Sequence, residues 1–595
     1  MKAVINNFTL RVATVNGSGS QSANNILLRS IFEMGVPVAG KNIFPSNIAG
    51  LPTWYNIRVS EEGYIAHRPE IEILVLMNQD TFAQDLAEAK AGTAVIYHDK
   101  LTAPKLPEGL IYYPVPFQKL VNDVCDVASL RKLVINMVYV GAVAELLGID
   151  YDKIRLSLEK QFKNKAKAID LNWKAVCAGR DFVKANLPKK DPFKIGPSNK
   201  TKGKIIISGN EAAAVGCLFG GCTVFAWYPI TPASSLGESV IDYFGRFRRN
   251  GGADGEASFA VVQAEDELAA LGMVLGAGWA GCRAATSTSG PGLSLMAEFA
   301  GLSYFAEVPA VVFDVQRLGP STGLPTRTSQ GDILFTHFIS HGDTQHLALI
   351  PATPEECYEF AMEAFNLAEE FQTLVFVMSD LDLGMNHWMS EPFPYPTEPF
   401  RRGKVLTKEQ VEKLGGFERY GDPDGDGIPY RTLPGTDSPK AAYFTRGSGH
   451  NAKAQYTEKS EEWKWILDRI ARKMETAKKR IPQPVVEKGA GKIGLIAYGT
   501  SHAAVQEARD GLARQGVKTG YLRLRSLPLN GVVENFIKDY EKIYVFDQNQ
   551  QGQMAGLIRM RCPAVAGKVH NILHYDGMPI DAGSIVKQIN CELSS

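Results

Sequence analysis

Four features of this chain have residue types and spacing that could do chemistry. Thr231 stands between two prolines in the run YPITP, Tyr228 to Pro232. Glu265 opens the acidic run Glu265-Asp266-Glu267. Residues 286–292 read TSTSGPG, and Arg317 closely follows the apolar run Ala310–Val315. One hydroxyl, one carboxylate, a hydroxyl-rich glycine loop and one guanidinium would suit an anionic substrate bearing a carbonyl. An arginine grips a carboxylate through two parallel hydrogen bonds, and a hydroxyl can donate to a ketone oxygen. Each feature also has a plainer reading. Thr231-Pro232 reads as an N-cap with proline at the first helical position, as Thr353-Pro354 does before Glu355-Glu356. Acidic residues at 265–267 favour a helix start through the macrodipole. TSTSGPG could be a turn, and Arg317 a surface ion pair.

Position decides between these readings, and position is set by the surrounding elements. Between about 203 and 395, short apolar runs recur at Ile205–Ser208, Thr223–Trp227, Ser258–Gln263, Cys282–Thr286, Ala310–Val315 and Leu374–Met378. Most are separated by helix-length stretches, which predicts a parallel sheet covered on both faces. Ligands of such sheets bind beyond the carboxyl ends of the strands. Thr231, Glu265, the TSTSGPG loop with Ser289 and Gly290, and Arg317 all fall there, so together they favour chemistry.

At 595 residues the chain is too long for one core and predicts three or four domains of about 150 residues. Residues 1–190 alternate strands and helices. ANLPKKDPFKIGPSNKTKGK, about 185–204, reads as an exposed linker. Residues 396–485 read as a charged, Pro- and Gly-rich linker region with one helix near Ser460–Lys479. Residues 486–595 return to α/β. Sixty-four basic residues balance sixty-four acidic ones, so no global field argues for nucleic acid or an anionic membrane. No membrane span and no signal peptide is read, and a soluble cytoplasmic protein is expected. Eight cysteines without C-x-x-C give no iron–sulfur or zinc set, and no metal site is assigned.

TVFAWYPITPASSLGES, VVQAEDELAALGMVLGAGWAG, ATSTSGPGLSLMAEFAGL and VQRLGPSTGLPTRTSQGDILF resemble the α subunit of 2-oxoacid:ferredoxin oxidoreductases. Gln316 to Asp332 most resembles the 2-oxoglutarate branch. Residues 1–190 resemble the family's γ domain, fused ahead of the α portion. GLIAYGTSHAAVQEA and VFDQNQQGQMAGLIR resemble the α subunit's second domain. The resemblance implies a multidomain α/β fold. A parallel-sheet domain of the thiamine-enzyme pyrimidine-binding type is flanked by a γ-type domain and a transketolase-C-like domain. It implies thiamine diphosphate, coenzyme A and oxidative decarboxylation of a 2-oxoacid with ferredoxin reduction, or the reverse carboxylation. Glu265 would hold the cofactor's N1′, with Tyr228, Pro229, Ile230, Ser289 and Gly290 lining it. Thr231 would bond the substrate or its adduct, Arg317 would bind the C1 carboxylate, and Thr326 would read the distal end.

The family holds diphosphate and Mg²⁺ on a β subunit through a G-D-G…N motif. Gly425-Asp426-Gly427 with Asn451 imitates it but has no strand before it. Asp422, Asp424 and Asp426 also imitate a calcium loop, which lacks its final Glu. Mg²⁺ and a [4Fe–4S] cluster are therefore expected on a partner β subunit, in an (αβ)2 assembly that reduces ferredoxin. In the first unit, the family's G-x-G-G-Q-G is replaced by Gly17-Ser18-Gly19-Ser20-Gln21-Ser22. Gly17 and Gly19 make either a nest for coenzyme A phosphate or a structural turn. A dinucleotide-binding or scaffolding subunit is the rival class, and pyruvate or a branched 2-oxoacid the rival substrate.

Overall fold

The computed structural model describes residues 2–45, 50–163, 165–250 and 255–594. Its centre is a seven-stranded sheet in the spatial order Ala260–Gln263, Val224–Trp227, Ala284–Thr288, Ala310–Gln316, Leu374–Asp380, Leu347–Leu349, Ser526–Leu527. Every pair is parallel except the last, where Ser526–Leu527 comes from the C-terminal unit and runs antiparallel. The strand Ala310–Gln316 is wholly buried, as a continuous apolar run requires when both faces are covered. Its side chains alternate between two cores. Val311 and Phe313 join one with the helices Gly209–Phe219 and Pro354–Phe371. Ala310 and Val312 join the other with the helices Glu267–Trp279 and Gly290–Ala306. That second core runs on into Ile496, Leu522 and Val545 of the C-terminal sheet, so the two units share buried surface.

The first unit is a six-stranded sheet ordered Val38–Ile43, Pro52–Ser60, Asn7–Val15, Ile73–Leu76, Ala94–His98, Ile111–Val115. The C-terminal sheet is ordered Val485–Glu487, Thr519–Leu524, Ile493–Tyr498, Lys542–Asp547, Val569–Leu573. Among the described residues no helix is long and apolar enough to cross a membrane.

Three expectations change. Ile205–Ile207 leaves the central sheet and pairs antiparallel with Trp388–Ser390. The stretch read as an exposed linker is docked: Phe193 and Lys194 pair with Val4 and Ile5. Asp191 is buried against the Tyr113 hydroxyl at 2.7 Å, and Thr201 Oγ1 donates to the Phe32 carbonyl at 2.7 Å. Residues 396–485 are packed too. Tyr420, Ile428, Ile466 and Ile470 are in the core on the Phe313 face, which their surrounding charge and proline concealed.

Candidate active site

Thr231 is not a helix cap. The helix it precedes spans Ser234–Phe247 with Ala233 at its N-cap and no side-chain cap bond, and the Thr231-Pro232 peptide is cis. Thr353, by contrast, caps its helix by accepting from Glu356 N at 3.3 Å. The backbone at Thr231 serves another purpose: its carbonyl accepts from Arg317 Nη1 at 2.7 Å. These two residues, far apart in sequence, meet at the carboxyl ends of their strands.

Arg317 is buried, and its Nε–H has no partner. Burial lowers its pKa, with Asp332 and then Glu267 acting against that. It lines a cavity of about 620 Å³ together with Gly290, Ser294, Asp332, Asn549 and Gln553. The C-terminal unit closes one wall and fixes the loop that carries Asp332. Asn549 Nδ2 donates to the Gln330 carbonyl at 2.9 Å, and Gln553 Nε2 to the Gly331 carbonyl at 2.6 Å. Just before Gly290 in the chain, Thr286 Oγ1, Ser287 Oγ and Ser289 Oγ are buried without partners among the described residues. Native proteins leave few such atoms, and one at a cavity calls for an explanation.

The acidic run separates by register. Asp266 is the N-cap and accepts from Ala269 N at 2.7 Å, which makes Glu267 the first helical residue. Glu267 turns inward and is buried, whereas Glu265 is exposed. A Cβ on Gly292 would lie 2.0 Å from Thr288 Oγ1 and 2.7 Å from Glu267 Cγ. Glycine at that position is therefore what lets Glu267 and the hydroxyl loop share one wall.

The other assigned residues distribute as follows. Tyr228, Pro229 and Glu265 lie on an exposed rim, with Ile230 half-buried beside them. Ser289 and Gly290 lie where the hydroxyl loop enters its helix. Thr326 does not reach the Arg317 cavity. Its Oγ1 donates to the Phe44 carbonyl at 2.7 Å, and it lines a separate narrow crevice with Lys41, His67 and Arg327. Gly17 and Gly19 adopt left-handed backbone before the helix Ser20–Glu33, and neither lines that cavity. The Gly425-Asp426-Gly427 turn has its acids engaged: Lys404 Nζ lies 2.7 Å from Asp424 Oδ2 and 2.8 Å from Asp426 Oδ1, while Arg472 pairs with Asp422. Sequence reasoning missed Asp314, Asp332 and the Asn549–Gln553 wall. A carboxylate inside the otherwise apolar VVFDVQ was the available signal.

Comparison with known proteins gives a consistent result. Residues 215–472 match the family described as pyruvate flavodoxin/ferredoxin oxidoreductase, thiamine diP-bdg, and residues 9–182 match pyruvate ferredoxin/flavodoxin oxidoreductase. The chain is 29% identical to 2-oxoacid:ferredoxin oxidoreductase 2, subunit alpha, of Aeropyrum pernix, over 93% of this chain and 92% of that one. It is 33% identical to the 2-oxoglutarate synthase subunit KorA of Methanocaldococcus jannaschii, over 53% of this chain and 81% of the relative. Its structure superposes with a TM-score of 0.88 on 2-oxoglutarate:ferredoxin oxidoreductase from Magnetococcus marinus, solved with 2-oxoglutarate, coenzyme A and succinyl-CoA bound. That match is 28% identical and covers 98% of this chain and 99% of the other.

Proposed function

The chain belongs to the 2-oxoacid:ferredoxin oxidoreductase α-subunit family, and from that premise we propose that it binds 2-oxoglutarate for oxidation to succinyl-CoA and CO2, or for the reverse carboxylation. The observation that carries the reading is Arg317. Its buried guanidinium lines a cavity open to solvent on one side, with one N–H spent on Thr231 and its Nε–H unspent, an arrangement that accepts a carboxylate. The Magnetococcus marinus structure, which holds 2-oxoglutarate, supports that substrate over pyruvate.

Thiamine diphosphate supplies, when bound, the nucleophilic carbon that attacks the ketone and the electron sink that holds the charge left by CO2. The residues here suit its pyrimidine end, because the buried carboxylate of Glu267 packs at Gly292 against a loop that holds buried hydroxyls. Glu267, not Glu265, would accept the hydrogen bond from N1′. A carboxylate that polarises the ring must be shielded from water, as Glu267 already is in this chain, whereas Glu265 stands exposed until a partner covers it. Arg317 would hold the C1 carboxylate. Thr231, on the same rim, would present its hydroxyl to the substrate.

The helices that bear Glu267 and Gly290 expose Leu268, Met273, Trp279, Leu295 and Leu302. Apolar surface beside a half-built site supports a partner chain there. That partner would be the β subunit, bringing the diphosphate's Mg²⁺, a [4Fe–4S] cluster and access for ferredoxin in an (αβ)2 assembly. The test is to purify the tagged chain with its partner and assay CoA-dependent dye reduction with 2-oxoglutarate and pyruvate in parallel. Glu267→Gln should lower kcat by roughly two orders of magnitude or more, while Glu265→Gln stays within a fewfold of the parent. The reverse pattern would return the N1′ role to Glu265, and faster turnover of pyruvate would change the substrate.

A further inference from the structure

Near Arg317 stand two acids that the proposed reaction does not use, Asp314 fully buried and Asp332 half-buried. Asp314 lies in the strand Ala310–Gln316, on the same face as Val312, and is fully buried. Neither of its carboxylate oxygens has a hydrogen-bond partner among the described residues. Asp332 precedes the short helix Ile333–His337 and lines the Arg317 cavity. Its backbone N–H donates to Gln316 Oε1 at 3.1 Å, which anchors the loop to the end of Asp314's own strand. Its Oδ2 is buried and unpartnered. The carboxylate packs on the first helical residue of Gly290–Ala306, where a Cβ on Gly290 would be 3.0 Å from both of its oxygens.

The groups that face this pair come from every wall. The strand contributes Asp314 itself, and the residue just beyond its end contributes Arg317, the cation that acts on Asp332. Glu267, at the start of its helix, acts on Arg317. The helix Gly290–Ala306 offers Ser294. The C-terminal wall offers Asn549, Gln550, Gln551, Gln553 and Tyr575, none of them formally charged at neutral pH. Asp314 and Asp332 act on each other with so little compensation that ionising both together is disfavoured.

We propose that Asp332, paired with Asp314, takes up a proton when a 2-oxoacid carboxylate docks on Arg317, so that the anion and the proton bind together. This rests on the reading of Arg317 as the carboxylate site. In the free site the guanidinium stabilises the Asp332 anion. A docked carboxylate satisfies that guanidinium and adds a negative charge to the same cavity, which favours the protonated acid. Burial already pushes Asp332 up to about 7, with Arg317 pulling the other way, and burial followed by Asp332 holds Asp314 well above the usual carboxylate range. Asp332 is thus a positioning residue, and it makes affinity for the anion fall as pH rises.

The sign is fixed by linkage. Binding that adds a proton weakens above the free-site pKa, by roughly tenfold per pH unit, until the bound form also ionises. Two measurements on the assembled holoenzyme test it. The first is calorimetric titration with 2-hydroxyglutarate, which has the substrate's C1 carboxylate but no ketone, in phosphate and in Tris at pH 8. The second is the KM for 2-oxoglutarate from pH 6 to 9. The parent should take up close to one proton per site, and its KM should climb roughly tenfold per pH unit above 7. Asp332→Asn should abolish the uptake and flatten the KM profile, with a KM below the parent's at pH 9. A flat parent profile, or uptake and slope that persist in both Asp332→Asn and Asp314→Asn, overturns the proton linkage and leaves Arg317 in place. If Arg317→Ala leaves the KM unchanged, it is the carboxylate assignment that fails.

Discussion

Glu307 and Asp314 are buried at opposite ends of one strand, Ala310–Gln316, and their surroundings differ in a telling way. Glu307 precedes the strand's amino end, where it is fully buried with Arg469 and Lys473. Its carboxylate pairs with the Arg469 guanidinium and lies 2.7 Å from Lys473 Nζ, while its carbonyl accepts from Arg419 Nη2 at 2.8 Å. Burial pushes Glu307 up, but Arg469 and then Lys473 more than reverse this and hold it at about 2. At the carboxyl end, Asp314 is as deeply placed and Asp332 stands half-buried on the cavity wall, and among the described residues no ion pair closes on either. Closed charge at one end of a sheet serves the fold, and open charge at the other awaits something from solution. That polarity agrees with the rule that α/β sheets bind ligands beyond the carboxyl ends of their strands.

The sharpest way to break this comparison is at the closed end. Glu307→Gln would leave Arg469 and Lys473 buried with their shared anion gone. Losing one partner of a buried pair costs about 3–5 kcal/mol, so the denaturant midpoint should drop while the m-value stays unchanged. A loss below about 1 kcal/mol would mean that the cluster is hydrated in solution and that the two ends do not differ in kind.

The open end should respond with the opposite sign. Asp332 has a folded pKa raised from 3.8 to about 7, so its favourable contribution is complete below 3.8 and is lost as pH rises through 7. Asp332→Asn removes that dependence. The variant should be more stable than the parent at pH 8, and the gain should shrink as pH falls and vanish only near pH 3.8. Melting curves of the two proteins across that range measure it directly. Equal shifts at both pH values would mean the acid is already compensated by partners.

The sequence made the strands legible and the partners much less so. Ala94–His98 was read to the residue, because a short apolar run bounded by turn residues leaves no other choice. Locally Thr231-Pro232 reads as a cap, because nothing nearby announces a cis peptide or an arginine arriving from residue 317, and only its position at a strand's carboxyl end favours a site role. The acidic run gives the N1′ role to Glu265 on sequence alone, and it is the burial of Glu267 that leads us to propose Glu267 instead. Recognising Asp266 as the N-cap would have set the register, sending Glu267 inward. Thr326 is held by Phe44, a contact between distant parts of the chain that no spacing rule reveals. Asp314 was in plain view as an acid in a buried strand. It went unassigned because its meaning depends on Asp332, which a loop and the C-terminal unit bring alongside.

The smallest expected effect discriminates most finely. Gly290 is the first residue of its helix and has an ordinary backbone conformation, so alanine there should favour the helix by about 0.5–1 kcal/mol. Its Cβ, however, would stand 3.0 Å from both Asp332 oxygens, closer than such contacts normally are. The carboxylate would have to give way by a few tenths of an ångström, at a cost similar to the helical gain. Gly290→Ala should therefore leave stability within about 0.5 kcal/mol of the parent and raise the KM for the 2-oxoacid severalfold. A displaced Asp332 would feel Arg317 and Asp314 differently, so the KM profile should also move along the pH axis. A variant that gains stability and keeps its KM would mean the carboxylate moves without consequence, and the open end would then be a loosely packed cavity wall and not a built proton site.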